Sequence, residues 1–269
     1  MHSMSATLHL LQFSDTHLMS SRAAELKGTR PYDSLQQVLA DACTRHLNAE
    51  ALLLTGDLVH DDAGGYAHVR ELFGGLGLPV YCLPGNHDDL TALPRELGAE
   101  PFHTSSVVDF DHWRLVMLDS VVPGAAYGAL SAAELARLQQ ALASAGARHV
   151  LICLHHHPVR LASHWLDAVR LKNADEFFAI VDQYRCVKAI SWGHVHQQFD
   201  LRRRGVRLLA VPSTCAQFVP GSEQFAIDAQ SLPGYRRFAL HADGSLETEV
   251  VRVDVHATAR QPAAAFSQS

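Results

Sequence analysis

Residues 8–17 read LHLLQFSDTH: an apolar run of strand character, Leu8–Phe13, followed by an Asp and a His two positions apart. The same arrangement returns four times. ALLLTGD ends on Gly56-Asp57, VYCLPGNHD on Gly85-Asn86-His87-Asp88, VLICLHHH on His155-His156-His157 and VKAISWGHVH on Gly193-His194-Val195-His196. Short unbroken apolar runs are the signature of strands buried on both faces. Open α/β folds place their chemistry at the carboxyl ends of such strands. A chain that puts His, Asp or Asn after one buried strand after another therefore reads as an α/β protein with one polar site at its strand ends.

Between these runs lie helical patterns. Asp33–Leu47 carries Leu35, Val38, Leu39, Ala42 and Leu47 on one side. Ser131–Ala143 opens with Ser131 and Glu134 in capping-box spacing and continues with Leu135, Leu138 and Leu142. Asn173–Tyr184 is a third helix. Further strands are expected at Leu115–Leu118 and Leu208–Val211. A late pair, Phe238–His241 and Thr248–Val253, flanks a hairpin signal at Asp243-Gly244. Parallel units followed by hairpins predict a four-layer α/β/β/α sandwich, two mixed sheets with helices outside. A loop-rich stretch, Leu161–Lys172, supplies a small cap over the site. One domain over residues 1–256 and a fraying tail over 257–269 complete the expected organisation.

The 269 residues are 48% hydrophobic, enough for a sizeable core. A net charge of −6 speaks against a nucleic-acid groove, and no apolar stretch is long enough to span a bilayer. The opening MHSMSATLHLLQFSD lacks the features of a signal peptide, which predicts a cytoplasmic address. Five scattered cysteines without a CxxC pair read as reduced, mostly buried thiols. Eighteen histidines are the outlier. Isolated ones such as His46, His68 and His241 read as ordinary packing or surface positions, so only those after strands carry weight.

The five clusters suit a pair of divalent cations. In an extended segment Asp15 and His17 would point to one side, and so would His194 and His196. Asp57 can bridge two cations with its two oxygens. Asn86 offers a neutral carbonyl oxygen to a hard cation, and His87 is a proton donor or phosphate partner that need not bind metal. Of the triple His, His155 is favoured as the ligand because it directly follows the strand, with His156 its competitor. Each motif alone is common in ordinary structure, a lone Gly-Asp being mostly a turn. Their joint occurrence in order is what points to chemistry.

In that order the motifs resemble those of the calcineurin-like metallophosphoesterase superfamily: D-x-H, GD, GNH[DE], H and GHxH. The match spans Phe13 to His196. Stretches such as QFSDTHL, LTGDLVHD, LPGNHD, LHHHPV, WGHVHQ and RLLAVPSTCAQF resemble its bacterial class III 3',5'-cyclic AMP phosphodiesterases. The resemblance implies one metal on Asp15, His17, Asp57 and His196, and a second on Asp57, Asn86, His155 and His194. It implies substrate contacts from His17, Asp57, Asn86, His87 and His196, with His87, Asp57 and Asn86 catalytic. The implied reaction is attack of a metal-activated hydroxide on a cyclic nucleotide, giving 5'-AMP. Iron and manganese are favoured, with zinc or cobalt possible.

The nearest alternative is a broader phosphodiesterase, such as a glycerophosphodiesterase, sharing the metals and differing in the cap. A non-catalytic nucleotide-binding regulator is more distant. Phe218, Trp165 and Tyr127 are candidate stacking partners for adenine, though each is more often a core or cap residue. The expected partner is a small cyclic nucleotide rather than nucleic acid or membrane, and monomer and homodimer remain open.

Overall fold

The computed structural model describes residues 7–104 and 107–255. The N-terminal half runs β1 (Leu8–Phe13), α1 (Pro31–Arg45), β2 (Ala51–Thr55), α2 (Tyr66–Gly74), β3 (Val80–Leu83), α3 (Ala92–Glu96) and β4 (Phe102–His103). Then follow β5 (Val107–Asp109), β6 (Trp113–Leu118), α4 (Ala132–Ala143), β7 (His149–Leu154), α5 (His164–Ala168) and α6 (Ala174–Val181). The chain closes with β8 (Val187–Trp192), β9 (Phe199–Arg203), β10 (Val206–Ala210), β11 (Gly234–Leu240) and β12 (Leu246–Arg252).

The strands form two six-stranded mixed sheets, β12-β11-β1-β2-β3-β4 and β5-β6-β7-β8-β10-β9. In the first, β1 to β4 are parallel and β11 returns antiparallel to β1. In the second, β6, β7, β8 and β10 are parallel, flanked by antiparallel edges. Side-chain alternation separates three apolar layers. Leu8 and Leu10, Ala51 and Leu53, Trp113 and Leu115, and Leu151 and Cys153 meet between the sheets. Their neighbours Leu52 and Leu54 pack under α1 and α2, while Val150 and Ile152 pack under α4 and α6. The expected four-layer sandwich is thus the observed one. Each such side chain taken fully out of water contributes roughly 1.5–3 kcal/mol before chain entropy is set against it.

Local chemistry explains the helices. Pro31 starts α1, where its fixed φ is already helical and its missing N–H costs nothing. The Ser131 hydroxyl caps α4 by accepting the Glu134 N–H at 3.1 Å. Glu134 does not close the capping box; its carboxylate accepts the backbone N–H of Asp119, at the end of β6, instead. Helix α2 was not anticipated. Tyr66, Val69 and Phe73 form its buried face, but glycines at 64, 65, 74 and 75 on either side mask the pattern. The stretch Leu161–Lys172 contains the short helix α5 rather than loop alone. The Asp243-Gly244 turn joins β11 to β12 as expected, with Gly244 at φ 84°.

Four of the five cysteines are buried and all five are free thiols. Among the described residues no helix is long and apolar enough to cross a membrane. The tail expected to fray, residues 257–269, lies outside the described residues.

Candidate dinuclear metal centre

The five clusters converge at the carboxyl ends of β1, β2, β3, β7 and β8. Beyond β1 and β2 the two loops stay paired: Asp15 N–H donates to Gly56 O at 3.0 Å and His17 N–H to Asp57 O at 2.9 Å. The arrangement is not the extended alternation that the two-apart spacing suggested. Asp15, His17, Asp57, His194 and His196 all have left-handed backbones, with φ between 48° and 67°. For residues with a Cβ that conformation is costly, roughly 1 kcal/mol or more each, and it persists only where the surroundings enforce it. Here it turns five polar side chains into one place.

His194 and His196 also part company. His196 joins Asp15 and His17 in one group of converging ligand atoms, while His194 joins His155 and His156 in another. Asp57 stands between the two, 3.8 Å from His17 Nε2 and 3.4 Å from His155 Nε2 through the same oxygen, Oδ2. Its Oδ1 accepts the His87 N–H at 2.9 Å. Asn86 lines the same cavity as Asp57, His17, His194 and His196, and its buried Oδ1 has no hydrogen-bond partner.

Glycines make the close approach possible. A Cβ on Gly193 would lie 2.8 Å from Asp15 Oδ2 and also run into the Ser14 hydroxyl. One on Gly85 would collide with Asp57 and come within 2.8 Å of His155 Cε1. Beneath them Asp88 ties the loops together. Its carboxylate accepts the N–H groups of Leu58, Val59 and Gly85 and the Tyr66 hydroxyl, at 2.8–3.2 Å. Burial and the neighbouring Asp57 charge push the Asp88 carboxyl up to about 6.

The donor set fits cations. His196 Nδ1 donates to Ala216 O at 2.7 Å, so its Nε2 turns a lone pair toward Asp15 Oδ1, 3.4 Å away. His155 Nδ1 likewise donates to Thr55 O at 2.9 Å, leaving Nε2 to face Asp57 Oδ2 and, at 3.2 Å, His194 Nδ1. Electron-rich atoms converging in a buried space need a positive charge among them. Without metal a proton takes that role at His155: burial opposes it, but Asp57 overrides burial and lifts the imidazole to about 9. Burial holds His17 and His194 well below the usual histidine range, as neutral imidazoles able to bind a cation.

His155 and His156 are both fully buried. His155 Nε2 meets Asp57, whereas His156 Nδ1 pairs with the Ser120 hydroxyl at 2.8 Å and its Nε2 has no partner. His157 stacks on His194, its ring centroid 5.7 Å away. His87 Nδ1 lies 3.0 Å from Asp61 Oδ2, an acceptor that orients the ring at the cavity wall. Sequence reading missed His60. Its Nδ1 sits 3.2 Å from His17 Nδ1, and its only signal was its place three residues after Asp57.

The cavity over these groups holds about 390 Å³. Trp165, Leu166 and Val169 from the cap form one wall, so the stretch expected to cover the site does so. Phe218 stacks on His196 at 4.0 Å and 11°, and Phe225, unremarked in the sequence, lies at the rim. Tyr127 is not among the residues lining this cavity, although its neighbour Ala126 is; its ring lies under the Lys172 ammonium.

Residues 8–198 match the model of the calcineurin-like phosphoesterase family. The chain belongs to that family. The 3',5'-cyclic adenosine monophosphate phosphodiesterase CpdA of Pseudomonas aeruginosa is 39% identical over 250 residues, covering 93% of this chain and 91% of its own. The protein of the same name from Escherichia coli (strain K12) is 38% identical over 252 residues, covering 92% and 90%. A dimetal phosphatase from Danio rerio shares the fold, with a TM-score of 0.59 at 13% identity, over 92% of this chain and 99% of its own. The calcineurin-like phosphoesterase motifs coincide with the two converging groups, and these groups fit a dinuclear metal site.

Proposed function

We propose that this protein is a dinuclear metal-dependent phosphodiesterase that hydrolyses 3',5'-cyclic AMP to 5'-AMP. The observation that carries the reading is Asp57, a buried carboxylate standing between two groups of metal-binding side chains at the floor of one cavity. The substrate follows from the cyclic AMP phosphodiesterases that the chain resembles over nine-tenths of its length.

In this reading Asp15, His17, Asp57 and His196 hold one cation. Asp57, Asn86, His155 and His194 hold the other, with His155 preferred to His156 because its Nε2 meets Asp57. Two divalent cations so held would supply a nucleophile from water at neutral pH and Lewis-acid neutralisation of phosphoryl charge. The chain's own residues do the rest. His17, Asp57, Asn86 and His196 border the phosphoryl group. His87, its Nδ1–H directed to Asp61, presents Nε2 to the departing 3'-oxygen and delivers the proton it needs. Asp57 Oδ1 accepts the His87 backbone N–H, which ties the proton donor to the carboxylate shared by the two proposed cation sites.

Iron and manganese are the proposed metals, zinc and cobalt the alternatives, since nitrogen and oxygen ligands without thiolate accept all four. Five free thiols are in keeping with a reducing cytoplasm. Asn86→Ala and His87→Ala test the roles. Each is expected to cut turnover of cyclic AMP by about 10²–10⁴-fold with little change in melting temperature. Unchanged turnover in either would remove that residue from the mechanism.

A further inference from the structure

Phe225 is a large apolar side chain left 46% exposed although it packs against other rings. It rides on a short hairpin loop closed by pairing of Phe218 with Ile227 and by a 3.0 Å hydrogen bond from Val219 N–H to Ala226 O. Trp165 of α5 and Phe218 hold it edge-on, with centroids 5.2 and 5.3 Å away. The Lys27 ammonium lies 5.0 Å from its ring centre, a cation–π contact that fixes the loop to a different part of the chain. Phe218 in turn stacks on His196. An unbroken line of rings therefore runs from a proposed metal ligand to the cavity rim.

An aromatic ring kept partly bare at the mouth of a phosphodiester site has little to offer a glycerol group, and although a choline ammonium binds aromatic faces, the Lys27 ammonium already holds this ring and repels a second cation. It suits a flat heterocycle, because every base has a π-face to lay against it. We infer that Phe225, backed by Trp165 and Phe218, is the subsite that receives the nucleobase, with Lys27 as the positioning residue that holds its ring. This rests on the cyclic-nucleotide reading above and adds where the base goes. Of the residues the sequence offers for stacking, Phe218 has one face on His196 and backs Phe225 with Trp165, and Tyr127 is not among the residues lining the cavity.

The test is steady-state kinetics of the Mn²⁺-loaded full-length protein on cyclic AMP, with 5'-AMP and inorganic phosphate as inhibitors. Phe225→Ala is expected to raise KM for cyclic AMP and the inhibition constant of 5'-AMP about ten-fold, the size of one base–aromatic stack. Turnover number and the inhibition constant of inorganic phosphate should hold. Phe225→Trp should restore both constants. Lys27→Met should raise KM about three-fold, in the range of a partly exposed cation–π contact, and Lys27→Arg should keep it low. No change with Phe225→Ala, or an equal loss of phosphate affinity, would overturn the subsite while leaving the phosphodiesterase reading intact. Failure of the unaltered protein to release 5'-AMP would overturn both.

Discussion

His17 and His60 face each other through their Nδ1 atoms at 3.2 Å. His17 turns its Nε2 the other way, 3.1 Å from His196 Nε2 and 3.8 Å from Asp57. A cation bound at Nε2 leaves the His17 proton on Nδ1, where the His60 lone pair accepts it. At the proposed site a metal-binding imidazole would thus have its tautomer and tilt set by a second imidazole, in the place where a carboxylate or carbonyl more often serves.

His60→Ala should therefore weaken cation binding by about 10–100-fold, and His60→Asn, which retains an acceptor, should recover part of the loss. Titration of metal-stripped protein with Mn²⁺ checks this. Equal affinity in all three proteins would show that His60 does not orient His17.

The proton on His155 sets a pH dependence. In the metal-free protein its imidazole titrates near 9, against about 6.5 when unfolded. Between those values the folded chain binds the extra proton, so the stability His155 contributes without metal is lost as pH rises through that window, whereas neutral His17 and His194 act oppositely around pH 6.5, where they ionise only in the unfolded chain. With metal the sign at His155 reverses, because the cation takes the neutral ring and displaces the proton. Melting curves at pH 8, 8.5 and 9, above the range in which the buried neutral histidines ionise in the unfolded chain, should show the metal-free protein losing stability while the increment due to Mn²⁺ grows. A metal-free melting temperature that rises over this range would contradict the assignment.

Asp88 is the brace under both metal-bearing loops. Asp88→Ala leaves three buried backbone N–H groups without an acceptor and is expected to cost about 3 kcal/mol or more, measured by urea unfolding. Tyr66→Phe removes a single hydroxyl from the same carboxylate and should cost about 1 kcal/mol with activity retained. Similar costs for the two would mean that the brace is the Tyr66 contact alone.

Gly193→Ala places a methyl group against Ser14 and Asp15. Overpacking of this kind costs about 1–3 kcal/mol, and here it also displaces the Asp15 carboxylate proposed as a ligand. Metal content after purification in Mn²⁺ should fall from two equivalents toward one. Two bound equivalents would show that the loop yields without harm.

Much of this architecture is legible in the chain, for identifiable reasons. Runs such as ALLLT and VLICL are buried on both faces, so their strands and the polar residues after them stand out. Helix α1 is readable from its apolar stripe. The left-handed turns at Asp15, Asp57 and His194 are not, because Asp and His carry no mark of positive φ as glycine does. His60 and Phe225 are not legible because neither sits in a recurring cluster: one reaches the site through the Leu18–Val59 bridge, the other through a hairpin loop. The choice between His155 and His156 depends on side-chain direction at a strand end, which spacing alone leaves open.

The central claim is tested most directly by incubating metal-stripped protein with cyclic AMP while Mn²⁺ is added back stepwise, and separating the products by chromatography. A dinuclear phosphodiesterase should show no turnover without metal, release of 5'-AMP with none of the 3' isomer, and a rate that levels off at two bound equivalents. Turnover in the stripped protein, or full metal loading with cyclic AMP left intact, would contradict it.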